Sequence, residues 1–141
     1  MVFSLVICTY MRPKPLLALL QSVKAQNLYP HEILIIDGSS NMDTETILKD
    51  NPFKNLSYFK VDDTERGLTK QRNFGIKHVA EASEIICFLD DDTVLNTDYF
   101  EQLLNTYTIY PEALGAGGYI ENESVFEFVG TNYSPKKDQF Y

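Results

Sequence analysis

The sequence predicts a single α/β domain built on a mostly parallel sheet with helices on both faces, and three observations carry that prediction. Short apolar runs alternate with stretches of helical period, the pattern left by right-handed strand–helix–strand crossovers. The apolar runs are rich in β-branched residues and lack polar alternation, as strands covered on both faces do. Polar clusters follow those runs directly, at Thr9 to Arg12, Asp37 to Ser40 and Asp90 to Asp92. Open parallel sheets place their binding sites at the carboxyl ends of strands, so the clusters are expected to converge on one edge.

Val2 to Cys8 reads as a buried first strand that runs into a loop at Thr9-Tyr10-Met11-Arg12-Pro13. Leu16, Leu19, Leu20 and Val23 then recur at helical spacing, with Pro13 and Pro15 acceptable only near the first turn. Ile33 to Ile36 forms the second strand and stops at the turn signal Asp37-Gly38-Ser39-Ser40. A short helix over Asp43 to Lys49 ends at Asn51-Pro52. Leu56 to Val61 is a third strand, less buried because Ser57 and Lys60 interrupt it, and a loop over Asp62 to Gly67 follows.

Leu68, Arg72, Gly75, Ile76 and Val79 fall on one helical face, which is expected to meet the sheet and would carry Arg72 inside an apolar stripe. Ile85 to Leu89 is wholly apolar and ends in three consecutive carboxylates. Asn96 or Thr97 is positioned to cap a last helix whose apolar face is Tyr99, Phe100, Leu103, Leu104 and Tyr107. Ala113 to Ile120 reads as a glycine-rich strand, Val125 to Val129 as a further short strand, and Ser134 to Tyr141 as a tail with exposed aromatics.

Composition removes several classes. A formal charge of -8 disfavours nonspecific attraction to nucleic acid or an anionic membrane. Cys8 and Cys87 lie inside apolar runs and suit reduced core residues, which points to a cytoplasmic setting. Met1 to Cys8 lacks a basic n-region and is too short to span a membrane. The three Asn-x-Ser sequences at Asn55, Asn122 and Asn132 are read as chance without a secretory signal.

Asp90, Asp91 and Asp92 repel one another where a buried strand surfaces, so a cation or hydrogen-bonding ligand is expected to offset that cost; a solvated acidic loop is the plainer alternative. Mg²⁺ or Mn²⁺ takes one or two carboxylates and completes its shell with phosphate oxygens and water, which an Asp-x-Asp supplies. Arg72 is placed to complement phosphates, Tyr10 offers a flat face to a base, and Asp37 offers an acceptor. No G-x-G-x-x-G follows the first strand and no G-x-x-x-x-G-K occurs, which argues against dinucleotide dehydrogenases and P-loop enzymes. The competing motif is that of haloacid-dehalogenase-type phosphohydrolases, with Asp90 as nucleophile, but it would lie late in the chain, with only Lys136 and Lys137 downstream.

Four motifs in order resemble the family 2 glycosyltransferases of GT-A fold: Ser4 to Tyr10 with Arg12-Pro13, Ile35 to Ser39, Arg66 to Leu68 through Arg72 to Gly75, and Phe88 to Asp92. The resemblance covers nearly the whole chain. It implies that Thr9, Tyr10, Arg12 and Asp37 surround the nucleoside of an activated sugar, usually uridine. It further implies Arg72 near the base or diphosphate, Asp90 near the ribose with Asp91 beside it, and Asp92, with Asp90, on the metal. The implied partners are a nucleotide-sugar donor and a saccharide or lipid-linked acceptor. Such enzymes carry a further half that binds the acceptor and supplies an acidic base for single displacement with inversion. Residues 1–141 are therefore expected to be one donor-binding domain that stops before that half, inactive or weak alone. Glu121, Glu123 and Glu127 are possible bases by position, although an ordinary solvated carboxylate is the simpler reading for each. A noncatalytic module that only binds nucleotide-sugars is the remaining alternative.

Overall fold

A computed structural model describes residues 1–121. Its elements are β1 (Phe3–Thr9), α1 (Pro13–Lys24), β2 (Glu32–Asp37), α2 (Asp43–Asp50), β3 (Leu56–Lys60), α3 (Leu68–His78), β4 (Ile85–Asp90) and α4 (Tyr99–Ile109). The strands form one parallel sheet in the order β3-β2-β1-β4. The first three strands step in one direction, and β4 returns to the opposite side of β1. The strand order therefore reverses between β1 and β4, which is where open α/β sheets open a crevice.

Successive strand residues point to opposite faces, and the two faces are filled unequally. Phe3, Leu5 and Ile7 of β1 join Leu16, Leu19, Leu20 and Val23 of α1 and Phe100, Leu103 and Leu104 of α4 in one large core, with Leu48 of α2 at its margin. The other face holds a small cluster of Val6, Leu34, Ile36 and Val61, covered by α3. Pro13 occupies the first helical position of α1, where its missing N–H costs nothing.

Three features differ from the sequence expectation. Leu68 and Ile76 are exposed, while the buried residues of α3 are Gln71 and Gly75. Gly75 explains the rotation: a Cβ there would stand 2.5 Å from a Val6 methyl, so the helix backbone rests on the sheet at the residue without a side chain. Ala113 to Ile120 is irregular rather than a strand, with Leu114 and Tyr119 exposed and open space around Gly115 and Gly117. Gly115 and Gly117 add backbone freedom and no packing, so the segment lacks what holds a strand. The last helix starts at Tyr99, with Asp98 at the N-cap and no side-chain cap, in place of Asn96 or Thr97. Val125 to Val129 and the Ser134 to Tyr141 tail lie outside the described residues.

Candidate functional site

The end of β1 is the hub of the carboxyl edge. Thr9 is buried, and its hydroxyl donates to Asp91 Oδ2 at 2.8 Å. Its carbonyl accepts the Gly38 N–H at 3.0 Å and the Gln71 Nε2 amide at 3.1 Å. Arg12 spans two of the carboxylates, donating to Asp91 Oδ1 at 3.1 Å and to Asp92 Oδ2 at 3.2 Å. Asp91 is only 7% exposed and has both oxygens engaged, so it anchors the loop from within. Asp90 and Asp92 face solvent. Arg72 pairs with Asp90 at 3.2 Å and stands over the Phe88 ring at 5.7 Å. Two guanidinium groups thus offset the mutual repulsion of three adjacent carboxylates.

Asp37 ends β2 and is fully buried. Its Oδ1 accepts the Ser39 N–H at 2.8 Å, and its Oδ2 accepts the Tyr58 hydroxyl at 2.6 Å from the neighbouring strand. Burial first, and then that hydrogen bond, push the Tyr58 pKa above its ordinary value, so the phenol stays the donor. Ser39 Oγ in turn accepts the Met11 N–H at 2.8 Å and helps hold Met11 in the left-handed region at φ 55°. Tyr10 is 49% exposed and faces the Arg66 guanidinium at 5.3 Å, while Arg66 Nε donates to the Gly38 carbonyl at 2.6 Å. Tyr10 and Arg66 therefore offer flat surfaces, and Asp37 forms the interior wall behind them.

A cleft of about 550 Å³ opens beside Asp90 and Asp92 and is lined further on by Asn96, Tyr99, Tyr119 and Glu121. Asn96 Nδ2 donates to Glu121 Oε1 at 2.7 Å. Gly118 packs against the Tyr99 ring, and burial raises the Tyr99 phenol to about 12, keeping it neutral. A second, more open hollow of about 610 Å³ lies toward Ser39, Lys60, Asp62 and Arg66, where Lys60 Nζ donates to the Asn41 carbonyl. Burial lifts the Cys8 thiol to about 11, against the lowering influence of Arg72, which leaves it a poor nucleophile beneath the site.

The structure thus brings Thr9, Arg12, Asp91 and Asp92 into one hydrogen-bonded group, puts Arg72 on Asp90, and sets Tyr10 and Asp37 on the adjoining side. Glu123 and Glu127 lie outside the described residues. Ser39 and Arg66 stand within the sequence motifs without a role of their own, and Gln71 and Tyr58 are site residues that the sequence reading does not single out. For Gln71 one signal was available: it sits four residues from both Gly67 and Gly75, on the helical face where side chains vanish and a polar group would reach the backbone. Tyr58 becomes visible only through the β2–β3 pairing, in which Ile35 lies opposite it.

Among the described residues no three His, Cys, Asp or Glu side chains converge into a self-sufficient metal cage. The solvent-facing donors, Asp90 and Asp92, are carboxylates two residues apart, each with one oxygen on an arginine. That set fits Mg²⁺ or Mn²⁺ completed by phosphate oxygens and water, and does not fit a thiolate or imidazole metal. No helix among the described residues is long and apolar enough to cross a membrane.

A family model described as glycosyl transferase family 2 matches residues 4–140. A glucosyl-dolichyl phosphate glucuronosyltransferase of Haloferax volcanii is 26% identical over 117 residues, covering 82% of this chain and 37% of that protein. A crystal structure of Staphylococcus aureus TarS 1-349 in complex with UDP-GlcNAc superposes with a TM-score of 0.67 at 22% identity, over 79% of this chain and 32% of that one. The mannosyltransferase PcManGT of Pyrobaculum calidifontis, in complex with GDP-Man and Mn²⁺, gives a TM-score of 0.62 at 20% identity, over 74% and 32%. These likenesses assign the GT-A fold to the chain, which spans about a third of the length of each of these proteins.

Proposed function

The chain belongs to glycosyl transferase family 2, and on that footing we propose that it holds the nucleotide end of an activated sugar, a UDP-sugar in the simplest case, for inverting transfer to a saccharide or lipid-linked acceptor. The observation that carries the reading is the joining of Thr9, Arg12 and Asp91–Asp92 at the switch point between β1 and β4, with Arg72 on Asp90 beside them. The UDP-GlcNAc and GDP-Man of the two solved relatives support a nucleotide-sugar donor, and the dolichyl phosphate in the name of the Haloferax protein supports a lipid-linked acceptor.

Asp90 and Asp92 would hold the divalent cation, Mg²⁺ or Mn²⁺, in the Asp-x-Asp manner. When bound, the ion neutralises charge developing on the departing diphosphate. Arg72 turns from Asp90, and Arg12 Nη2 from Asp92, toward phosphate oxygens, for which a guanidinium is equally suited, while Arg12 Nη1 keeps its bond to Asp91. Tyr10 stacks on the base. Asp37 acts from the interior, fixing the Ser39 turn and the wall the base rests on. Asp91 acts through Thr9 and Arg12, keeping the loop ends of β1 and β4 together. Single displacement also needs a carboxylate to take the acceptor proton; Glu121 lines the cleft with one oxygen accepting from Asn96, and we assign the base to none of the described residues. The free thiols of Cys8 and Cys87 support a cytoplasmic setting. The family membership sets aside the phosphohydrolase alternative on Asp90.

Calorimetric titration tests the reading. UDP is expected to bind, to bind more tightly with Mn²⁺, and to lose that metal dependence in Asp92→Ala. Failure of UDP to bind with or without Mn²⁺ would overturn it.

A further inference from the structure

Gln71 lies in the first turns of α3 and is 4% exposed, far from any solvated role. Its amide is fully used: Nε2 donates to the Thr9 carbonyl at 3.1 Å and to the Ile36 carbonyl at 2.8 Å, and Oε1 accepts the Gly67 N–H at 3.1 Å. Two carbonyls and one N–H admit only this orientation of the amide. The three partners belong to three chain segments: the ends of β1 and β2, and the entry to α3. Each is covalently next to a residue that the donor reading sets around or behind the base. Thr9 precedes Tyr10, Ile36 precedes Asp37, and Gly67 follows Arg66. A Cβ on Gly38 would meet Gln71 Oε1 at 3.0 Å, so the amide also packs beneath the turn that Asp37 organises.

We infer that Gln71 is the positioning residue of the nucleobase end of the donor site, setting Tyr10, Asp37 and Arg66 relative to one another through the backbone groups beside them. This rests on the donor reading above. It extends that reading to a side chain that does not itself touch the nucleotide. A glutamine that merely held the fold would alter stability and leave base selectivity alone, which is the distinction the test uses.

Gln71→Met keeps the length and removes all three hydrogen bonds; Gln71→Glu keeps the size and the acceptor for Gly67 but loses the donors. The full chain and both variants are titrated calorimetrically with UDP, ADP and inorganic pyrophosphate in Mn²⁺, below the melting temperature of each. We expect UDP affinity to fall about tenfold and the UDP-to-ADP preference to shrink by a similar factor, with pyrophosphate changed less than about twofold. Folded variants that retain the wild-type UDP affinity and UDP-to-ADP ratio overturn the inference while leaving the donor reading intact. Absence of nucleotide binding by the wild-type protein overturns the donor reading first and the inference with it. Should both variants fail to fold, amide exchange on the wild type decides: UDP is expected to slow exchange at Gly67 N–H, and an unchanged rate there counts against Gln71.

Discussion

On one face of the sheet α1, α2 and α4 close over Phe3, Leu5, Ile7, Ile33 and Ile35; on the other, among the described residues, α3 meets Val6, Leu34, Ile36 and Val61. The thick face is built from large apolar side chains, with the buried Gln26 amide tying α1 to the start of α4. The thin face is built from close backbone approach at Gly75 and from the Gln71 amide, and it adjoins Arg72 and Arg66. Thr9 and Asp37 continue the thick-face rows Phe3-Leu5-Ile7 and Ile33-Ile35, so the site draws Thr9, Arg12 and Asp37 from the thick side of the sheet and Arg72 and the Gln71 amide from the thin one. The lesson is that a helix with little apolar burial is not an incomplete helix when its task is to hold loop ends in place.

Substitutions deep in the thick face, away from the carboxyl edge, and on α3 should therefore separate folding from binding. The largest effect is expected from Phe100→Ala, which empties a fully buried site against Phe3 at 5.1 Å between ring centroids. The loss is about 3–5 kcal/mol in urea unfolding, with UDP affinity of the folded fraction unchanged; weakened affinity would break the division. Next is Gly75→Ala on the thin face, whose new methyl would stand 2.5 Å from Val6 Cγ1. It should cost about 1–3 kcal/mol and also weaken UDP binding, because displacing α3 displaces Gln71; adding Val6→Ala should restore part of both. The effect that is smallest at neutral pH, and grows only in alkali, concerns Cys87. Burial on the thick face pushes the Cys87 thiol from 9.0 up to about 12. Because the folded value is the higher one, the stability held by the neutral thiol is complete below about pH 9 and is lost as pH rises toward 12, at no more than about 1.4 kcal/mol per pH unit. Cys87→Ala should flatten that alkaline slope in unfolding curves taken across the range.

The strands were legible because parallel strands buried on both faces read as apolar runs, and β1, β2 and β4 fall within one or two residues of the runs at Val2, Ile33 and Ile85. The convergence of Thr9, Asp37 and Asp90–Asp92 followed from the same pattern. The orientation of α3 did not follow, since Leu68 and Ile76 weigh heavily in an apolar stripe while Gly75, which decides the contact, weighs almost nothing. The different fates of the three aspartates were equally hidden. Within a tight turn, adjacent residues diverge in direction, and only the partners Thr9 and Arg12 reveal that Asp91 turns inward while Asp90 and Asp92 do not. Tyr58 on Asp37 is a contact between neighbouring strands, and no local pattern announces it.

The bond from Thr9 to Asp91 joins residues 82 positions apart. Its distance along the chain has a consequence in time. β1, β2 and β3 with their helices come first in the chain, whereas the aspartates reach Thr9 only after β4 has closed along the opposite side of β1. Long-range pairings of this kind pay their loop-closure entropy before any contact repays it, and they form late. During synthesis, the first three strands are therefore exposed for pairing before the proposed donor site exists. On the donor reading, nucleotide binding would report that β4 has paired with β1.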